Sequence, residues 1–253
     1  MPDPRFHLDD PITEGAQLRL GALDSRHVGT VLRLGIGASV RIFNARDGEW
    51  RADIDAKDRN GIGVRVRGLL RPARPSPDLD LLFAPVKRDA TDLIVEKATE
   101  LGVRRLRPII TMRTITETVR ADRLAAITRG AAAQTERFDI PEILPAQPLA
   151  KALDGWDAKR PLVFADEAGD DANSAWGGEH GRAPPLLASL RDLRPQALAV
   201  LIGPEGGFDT SERRLLRALP HVIAVSLGPR ILRAETAAIA ALALVQAAWG
   251  DWS

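Results

Sequence analysis

Two short segments near the C-terminus combine an apolar run, a Gly-Pro pair and an expected helix start. They are VLIGPEGGFDTSE at residues 200–212 and VSLGPRILRAETAAIAAL at residues 225–242. Ligands of an open parallel sheet bind at the carboxyl ends of its strands, where both Gly-Pro loops are expected to lie. Glycines let a ligand approach the backbone, and Pro204 restricts the first loop. The loops therefore predict a binding site, with two purely structural turns as the alternative.

The helix expected after the first loop argues against a phosphate ligand. Asp209 and Glu212 have the spacing of a capping box, in which the free amides of a helix start are satisfied by side chains. The Gly-Lys-Ser/Thr sequence of phosphate-binding loops does not occur in the chain. The two loops suit a flat or neutral group held by backbone atoms, such as an adenine.

Charged residues follow the second loop. Arg230 and Arg233 are expected at the start of the final helix, where their spacing puts them on one face that points toward the loops. Glu235 lies in the expected first turn, where it either pairs with an arginine or stabilises the helix end, the more ordinary role. Gln134 and Arg137, one helical turn apart, form either a solvated helix end or part of a site, and spacing alone favours the first.

The patterns of strands and helices predict two domains. Residues 1–72 contain short alternating strands, including a hairpin across residues 44–48, which is typical of a small β-barrel. The proline-rich segment at residues 71–80 indicates an extended linker. Residues 73–253 alternate strands with helices, the first helix having Asp89 as its expected N-cap, and this alternation predicts an α/β domain with a mostly parallel sheet.

Composition excludes several classes of protein. The 253 residues include no cysteine, which rules out disulfides, thiolate zinc sites and a cysteine nucleophile. The four histidines lie far apart without metal-ligand spacing, so no metal is expected. The chain has no apolar run that could span a bilayer and no signal-peptide core at its start, which favours a cytoplasmic protein without a membrane partner.

The net charge of +1 conceals an uneven distribution. Residues 64–120 hold 12 Lys/Arg against 7 Asp/Glu, whereas residues 154–180 hold 2 against 7. Most of the positive charge is arginine, which binds phosphate oxygens and stacks on bases. The basic region indicates contact with RNA, and a general arginine bias of the composition is the alternative.

The segments LIGPEGGFDTSE and SLGPRILRAETA closely resemble the two signature segments of the ribosomal small-subunit RNA methyltransferase E family, a group of knotted methyltransferases of the SPOUT superfamily. HVGTVLRLGIG, DLIVEKATELGV and AAAQTERFDIPEI are similar to further segments of that family, in the same order. The resemblance implies a PUA-like β-barrel over residues 1–72 and a SPOUT α/β domain with a trefoil knot over residues 73–253. It also implies a homodimer that uses S-adenosylmethionine to methylate N3 of a uridine in 16S rRNA of the small ribosomal subunit.

The resemblance also assigns roles to particular residues. The implied cofactor-binding residues are Leu201, Ile202, Gly203, Pro204, Glu205, Gly206, Gly207, Ser226, Leu227, Gly228, Arg230, Ile231 and Leu232. Arg233 would face the transferred methyl group or the target base. The chemistry of the transfer suits Arg233 to stabilising negative charge on the base, and Glu205 is either a general base or an acceptor for backbone amides, with water or direct loss to solvent as the other route for the proton. The barrel and the basic region are expected to contact RNA, and the family segments add two residues; the full set is Arg65, Arg67, Arg71, Arg74, Lys87, Arg88, Gln134 and Arg137. Gly130 stands where the family usually has an acidic residue, which weakens the assignment of Gln134 and Arg137.

Two other functions fit the same sequence. One is a knotted methyltransferase that acts on the ribose 2′-hydroxyl. The sequence of the segment LGPRILRAETA argues against this activity. The other is a ribosome-assembly factor that binds RNA without catalysis, against which the intact glycines and Arg233 argue, because an inactive site has no need of them.

Overall fold

Two sheets organise the protein, each in its own unit of the chain. The computed structural model describes residues 3–115, 119–167, 183–194 and 196–252. The first unit comprises Met1–Pro75 and Ala132–Ile140, and the second comprises Ser76–Ala131 and Pro141–Ser253. The predicted boundary at residue 72 did not place residues 132–140 in the first unit, because residues 132–134 are the end of a helix that begins in the second unit.

The first unit is built on a mostly antiparallel sheet. Its strands are β1 (Arg5–His7), β2 (Gln17–Arg19), β3 (Ser39–Asn44), β4 (Gly48–Asp58) and β5 (Gly61–Arg71). They pair in the order β1-β3-β4-β5-β2, with only β1 and β3 parallel. The expected hairpin is confirmed as β3 and β4. Because the described strands show no pairing between β1 and β2, a closed barrel remains a prediction.

A helical segment joins β2 to β3. It consists of α1 (Ala22–Arg26) and a π-helical turn at His27–Val31. Val28 is fully buried in this turn and packs in the core of the first unit with Ile42, Ile54 and Val64. The alternation of apolar residues along the strands therefore directs one face of the sheet into a single core.

Glu49, which is fully buried, forms the centre of an ionic network in the first unit. Its carboxylate accepts hydrogen bonds from Arg5 Nη2 at 3.3 Å, Arg41 Nη1 at 2.9 Å and Arg71 Nε at 2.9 Å. Arg5 Nη1 also donates to the carbonyl oxygens of Ala132 (3.0 Å) and its neighbour (2.9 Å). The network therefore joins the strands to the segment at residues 132–140.

Glu136 adds a second carboxylate on the solvent side of this network. It accepts from Arg41 Nη1 at 3.2 Å and from Arg71 Nη1 at 2.8 Å. The hydrogen bond from Arg41 and the positive charge of Arg71 hold the pKa of Glu136 below its usual value. Both arginines are thus shared between a buried and a half-exposed carboxylate.

Replacing the buried carboxylate tests this network. Glu49→Ala should lower the free energy of unfolding by about 3 kcal/mol or more, because three guanidinium groups would lose their shared counter-charge. Denaturant titration of the variant measures the loss. Asp58→Asn, which alters the exposed Arg19–Asp58 pair, is the matched control and should leave the midpoint unchanged. Equal midpoints for the two variants would contradict the central role of Glu49.

The second unit contains a parallel sheet. Its strands are β6 (Leu79–Phe83), β7 (Arg105–Ile110), β8 (Glu142–Ile143), β9 (Gln147–Pro148), β10 (Leu162–Ala165), β11 (Leu198–Ile202) and β12 (Val222–Val225). The order is β12-β10-β11-β6-β7-β8, with β9 also pairing with β7, and every pair is parallel. The predicted α/β class with a mostly parallel sheet is confirmed for this unit.

Helices follow the strands of this sheet. They are α2 (Arg88–Glu100), α3 (Ala121–Gln134), α4 (Leu149–Leu153), α5 (Leu186–Leu190), α6 (Thr210–Ala218) and α7 (Ala234–Ala248). Helix α3 continues through Gly130, and its last residues, from Ala132 onward, belong to the first unit.

The sheet is buried on both faces. Along β11, Val200 packs in the cluster that contains residues of α2 and α7, whereas Leu201 packs in the cluster that contains Leu216 of α6. The same alternation holds in β10 for Val163 and Phe164. Strands whose side chains are apolar on both faces are typical of a parallel sheet between two layers of helices.

The structure corrects one helix start and confirms another. Lys87, not Asp89, is the N-cap of α2, because the Lys87 carbonyl already accepts from Thr91 N at 2.9 Å. Asp89 lies instead in the first turn. The capping box of α6 is confirmed: Asp209 accepts from Ser211 N at 2.9 Å, and Glu212 accepts from Asp209 N at 3.0 Å.

Two features are absent from the described part of the chain. No helix there has the length and apolar character that crossing a membrane requires. No group of three or more His, Cys, Asp or Glu side chains is placed there to hold a metal ion.

Candidate active site

The two Gly-Pro loops meet at one cavity. The first loop (residues 203–207) follows β11 and the second loop (residues 226–233) follows β12. Both strands are parallel to β10, so both loops leave the sheet at the same edge. The cavity between them has a volume of about 780 Å³. This volume is in the range of sites for small-molecule ligands.

Most of the predicted cofactor-binding residues line this cavity. They are Ile202, Gly203, Pro204, Glu205, Ser226, Leu227, Gly228, Arg230, Ile231 and Leu232. The lining does not include Leu201, Gly206 or Gly207. Leu201 packs in the core, and the Gly206 carbonyl accepts from Arg113 Nη1 at 3.0 Å. A direct cofactor contact for each of these residues remains a prediction.

The first loop uses glycine for two different physical reasons. A Cβ atom at Gly203 would lie 2.5 Å from Cε2 of the Phe208 ring, so no side chain fits there without moving that ring. Gly207 has φ of +68°, which disfavours other residues, and its amide donates to the Pro204 carbonyl at 2.9 Å. Close packing and backbone conformation thus fix the loop.

The second loop is anchored to the segment that precedes α5. Ser226 N donates to the Pro184 carbonyl at 2.9 Å, and Leu186 N donates to the Ser226 carbonyl at 3.1 Å. Gly228 has φ of +109°, and a Cβ atom there would have no neighbour within 4 Å. Gly228 therefore contributes open space to the cavity as well as an unusual backbone angle.

Arg233 does not lie inside the final helix. It is the N-cap of α7, with φ of −66° and ψ of 155°, and Arg230 lies in the bend before it. The prediction that both arginines occupy one face of that helix is wrong, because extended backbone at Arg233 delays the helix start to Ala234. Both side chains are exposed and line the cavity.

The cavity also contains charged residues that the sequence did not assign to it. Lys87, predicted to bind RNA, lines the cavity, as do Asp89 and Glu235. Asp166 and Glu167, which directly follow β10, were missed altogether, although a pair of acids immediately after a buried strand was a readable signal.

Asp166 is a buried structural anion at the edge of the cavity. Arg213 of α6 donates to it from Nε at 2.9 Å and from Nη2 at 3.0 Å, and Arg217 Nε donates at 2.8 Å. The Asp166 amide donates to the Val225 carbonyl at 3.0 Å. This carboxylate therefore ties α6 to the end of β10 and is neutralised by two arginines.

The predicted RNA-binding residues have different surroundings. On β5, Arg65 lies 3.5 Å from Asp55 and Arg67 lies 2.7 Å from Asp53, and Arg71 belongs to the Glu49 network. The exposed residues of the predicted set are Arg67, Arg74, Lys87, Arg88 and Gln134.

The guanidinium group of Arg137 is buried and paired within the protein. Its Nε and Nη2 atoms donate to the two carboxylate oxygens of Asp139, each at 2.8 Å. An RNA contact by this side chain would require the pair to separate. The spacing of Gln134 and Arg137 therefore marks a helix end, with Gln134 exposed and Arg137 fixed internally.

Comparisons with known proteins agree with this geometry. Residues 74–246 match the family model described as an RNA methyltransferase domain, and residues 24–66 match the one described as an RNA methyltransferase PUA domain. The parallel sheet, the cavity at its edge and these matches define an RNA methyltransferase domain that follows a PUA domain.

Similarity to named relatives identifies the family of RNA methyltransferases. The chain is 31% identical over 243 residues to ribosomal RNA small subunit methyltransferase E of Rickettsia conorii, covering 96% of this chain and 94% of the relative. It is 25% identical to the Bacillus subtilis protein of that name, covering 92% of this chain and 91% of that one. The chain belongs to the ribosomal RNA small subunit methyltransferase E family.

Two solved structures of methyltransferases with S-adenosyl methionine bound share the fold. The methyltransferase E of Neisseria gonorrhoeae is 25% identical, with a TM-score of 0.81 and coverage of 100% of both chains. A methyltransferase from Legionella pneumophila is 30% identical, with a TM-score of 0.80 and coverage of 99% of this chain and 100% of that one.

A substitution at Gly203 tests the packing of the first loop. Gly203→Ala should lower the free energy of unfolding by roughly 1–3 kcal/mol, because the added methyl group displaces the buried Phe208 ring. Thermal and denaturant unfolding measure the change. Gly206→Ala is the matched control, since its Cβ atom would meet Arg113 at an ordinary 3.6 Å. Equal stability of the two variants would show that Phe208 moves without cost.

Proposed function

We propose that the protein transfers the methyl group of S-adenosylmethionine to N3 of a uridine in the 16S rRNA of the small ribosomal subunit. The observation that carries this proposal is the meeting of both Gly-Pro loops at one cavity with Arg233 in its lining. The names of the relatives and the S-adenosyl methionine bound in two similar structures support the same substrate and cofactor.

The residues of the cavity fit S-adenosylmethionine. The volume of about 780 Å³ accommodates a nucleoside with an attached amino acid. Gly228 leaves the backbone of the second loop open to a flat base, and Ile202 and Leu227 supply apolar lining. We assign these loops to the cofactor, which would bring an electrophilic methyl group on a sulfonium centre.

Arg233 is the residue assigned to the chemistry of the target base. Loss of the N3 proton puts negative charge on the uracil ring, and a fixed cation beside the ring stabilises that charge. An arginine is suited to this role, since it stays protonated at all physiological pH values. Its position at the N-cap of α7 holds its backbone at the start of a 15-residue helix.

Glu205 is the second catalytic candidate. It is exposed, lies between Pro204 and Gly206 in the first loop and lines the cavity. It would accept the N3 proton directly or through a water molecule. Because the position is open to solvent, water alone is a competing acceptor.

Further features of the proposal come from the family. They are a closed PUA-like barrel, a trefoil knot, a homodimer and a cytoplasmic location. The exposed Trp252 near the C-terminus supports a contact between two copies.

Primer extension on small ribosomal subunits tests the reaction and its site together. Subunits from a strain that lacks the gene are incubated with the protein and S-adenosylmethionine, and a cofactor-dependent stop is expected, because a methyl group on N3 blocks base pairing. Methyl incorporation without a stop would instead favour the ribose. Absence of any incorporation would contradict the proposal and favour an RNA-binding assembly factor.

The role of Arg233 predicts a specific kinetic defect. Arg233→Ala should lower kcat roughly 100-fold, as expected for the loss of one charge-stabilising group, while KM for S-adenosylmethionine changes little. Steady-state methylation of subunits at varied S-adenosylmethionine concentration measures both constants. Arg191→Ala, which removes an exposed arginine after α5, is the matched control and should retain full activity. A raised KM with unchanged kcat would show that Arg233 binds the cofactor and not the reacting base.

A further inference from the structure

A turn beside the cofactor loops carries unassigned side chains at the same edge of the sheet. Residues 111–115 follow β7, which is parallel to β6, and β6 is parallel to β11. The 111–115 turn therefore leaves the sheet at the edge from which the first loop leaves.

The 111–115 turn is held firmly. Thr111 N donates to Thr114 Oγ1 at 2.9 Å, and Thr114 N donates to the Thr111 carbonyl at 3.1 Å. Met112 N donates to Glu212 Oε1 at 2.9 Å, so the carboxylate that caps α6 also binds this turn. These contacts fix the backbone, while the side chains of Met112 and Ile115 remain exposed.

Arg113 links the turn to the first loop. Its Nη1 atom donates to the Gly206 carbonyl at 3.0 Å, and its Nη2 atom lies 3.6 Å from Asp209 Oδ2. The side chain is nevertheless half-exposed. A guanidinium group with this geometry can contact a further anion while it holds the loop.

The surface around Arg113 is unusually apolar for an exposed region. Met112 is 70% exposed and Ile115 is 89% exposed. Ser211 Oγ approaches Met112 Sδ at 3.5 Å, and Arg214 and Leu215 continue the exposed face of α6 one turn after Ser211. We call Met112, Arg113, Ile115, Arg214 and Leu215 the edge patch.

The side chains of the edge patch include two arginines and no carboxylate. The neighbouring carboxylates are those of Asp209, which lies 3.6 Å from Arg113, and Glu212, and both accept hydrogen bonds from amides at the start of α6. Among the described residues, no carboxylate pairs with Arg214, which is exposed on α6. Two guanidinium groups between large apolar side chains can bind phosphate oxygens and cover base faces at the same time.

We propose that the edge patch binds the RNA strand next to the target uridine. This inference rests on the proposed function, and it adds a contact surface to the residues assigned above. Arg113 and Arg214 would bind phosphates, while Met112 and Ile115 would contact unstacked bases.

The charge of the patch favours RNA over a second copy of the chain. The edge patch of a second copy would present only arginine and apolar side chains, which offer Arg214 no anionic partner. RNA supplies the complementary charge.

Direct binding to small ribosomal subunits that lack the modification tests the edge patch. Met112→Ser combined with Ile115→Ser should weaken binding about tenfold, through the loss of apolar contact with bases. Arg214→Ala should reduce the slope of log affinity against log salt by about 1, the effect of losing one phosphate contact. Affinity for S-adenosylmethionine, measured by calorimetry, should stay within about twofold for both variants.

Helix α5 provides matched controls, because it carries an exposed leucine and is followed by an exposed arginine. Leu187→Ser and Arg191→Ala should change neither subunit binding nor its salt dependence. Unchanged subunit binding by the edge-patch variants would overturn the inference. A parallel loss of S-adenosylmethionine binding would also overturn it, since the turn would then act only through the first loop.

Light scattering tests whether the edge patch instead joins two copies of the protein. A fall in molar mass of the edge-patch variants would assign the patch to a contact between protein copies and overturn the RNA assignment. A failure of the proposed function gives a different result. Wild-type protein that binds subunits without transferring a methyl group would refute the proposed reaction, while the comparison of subunit binding between wild type and the variants would still test the edge patch.

Discussion

The pairing of β10 with both β11 and β12 is the constraint on which the candidate active site depends. All three strands are parallel, so the loops that follow β11 and β12 must leave the sheet at one edge. The segment after β10 reaches the same edge, where Asp166 and Glu167 join the cavity. A site assembled from distant segments of the chain is thereby fixed by the sheet itself.

Two further kinds of interaction, close packing and buried charge, hold the segments that the strands have positioned. Close packing of Gly203 against Phe208 fixes the first loop, and Phe208 packs edge-on against Phe164 of β10 with ring centroids 5.0 Å apart. Buried charge fixes the helix that follows, because Asp166 is bound by two arginines of α6. Leaving this buried carboxylate without its arginine partners would be energetically unfavourable, so the two ion pairs keep α6 in position against the sheet.

The sequence was most informative where local pattern and backbone chemistry coincide. Apolar runs ending in Gly-Pro identified β11, β12 and both loops, and the spacing of Asp209 and Glu212 identified the capping box. Patterns that depend on one residue's backbone angle were less reliable, as the helix starts at Lys87 and Arg233 show. Either position could have been helical by its residue type alone.

Contacts between distant parts of the chain could not be read from the sequence. The sharing of Glu49 among three arginines and the transfer of residues 132–140 to the first unit depend on tertiary packing. The same is true of Arg137, whose spacing from Gln134 gave no sign of its bidentate pair with Asp139. The 111–115 turn has no motif, and only its place after β7 brings it to the site.

Hydrogen–deuterium exchange with and without S-adenosylmethionine tests the central claim, that the two Gly-Pro loops together form the cofactor site. Slower exchange of amides in residues 203–207 and 226–233 is predicted, with little change in the strands of the first unit. Protection of only one loop, or protection concentrated outside both loops, would contradict the account.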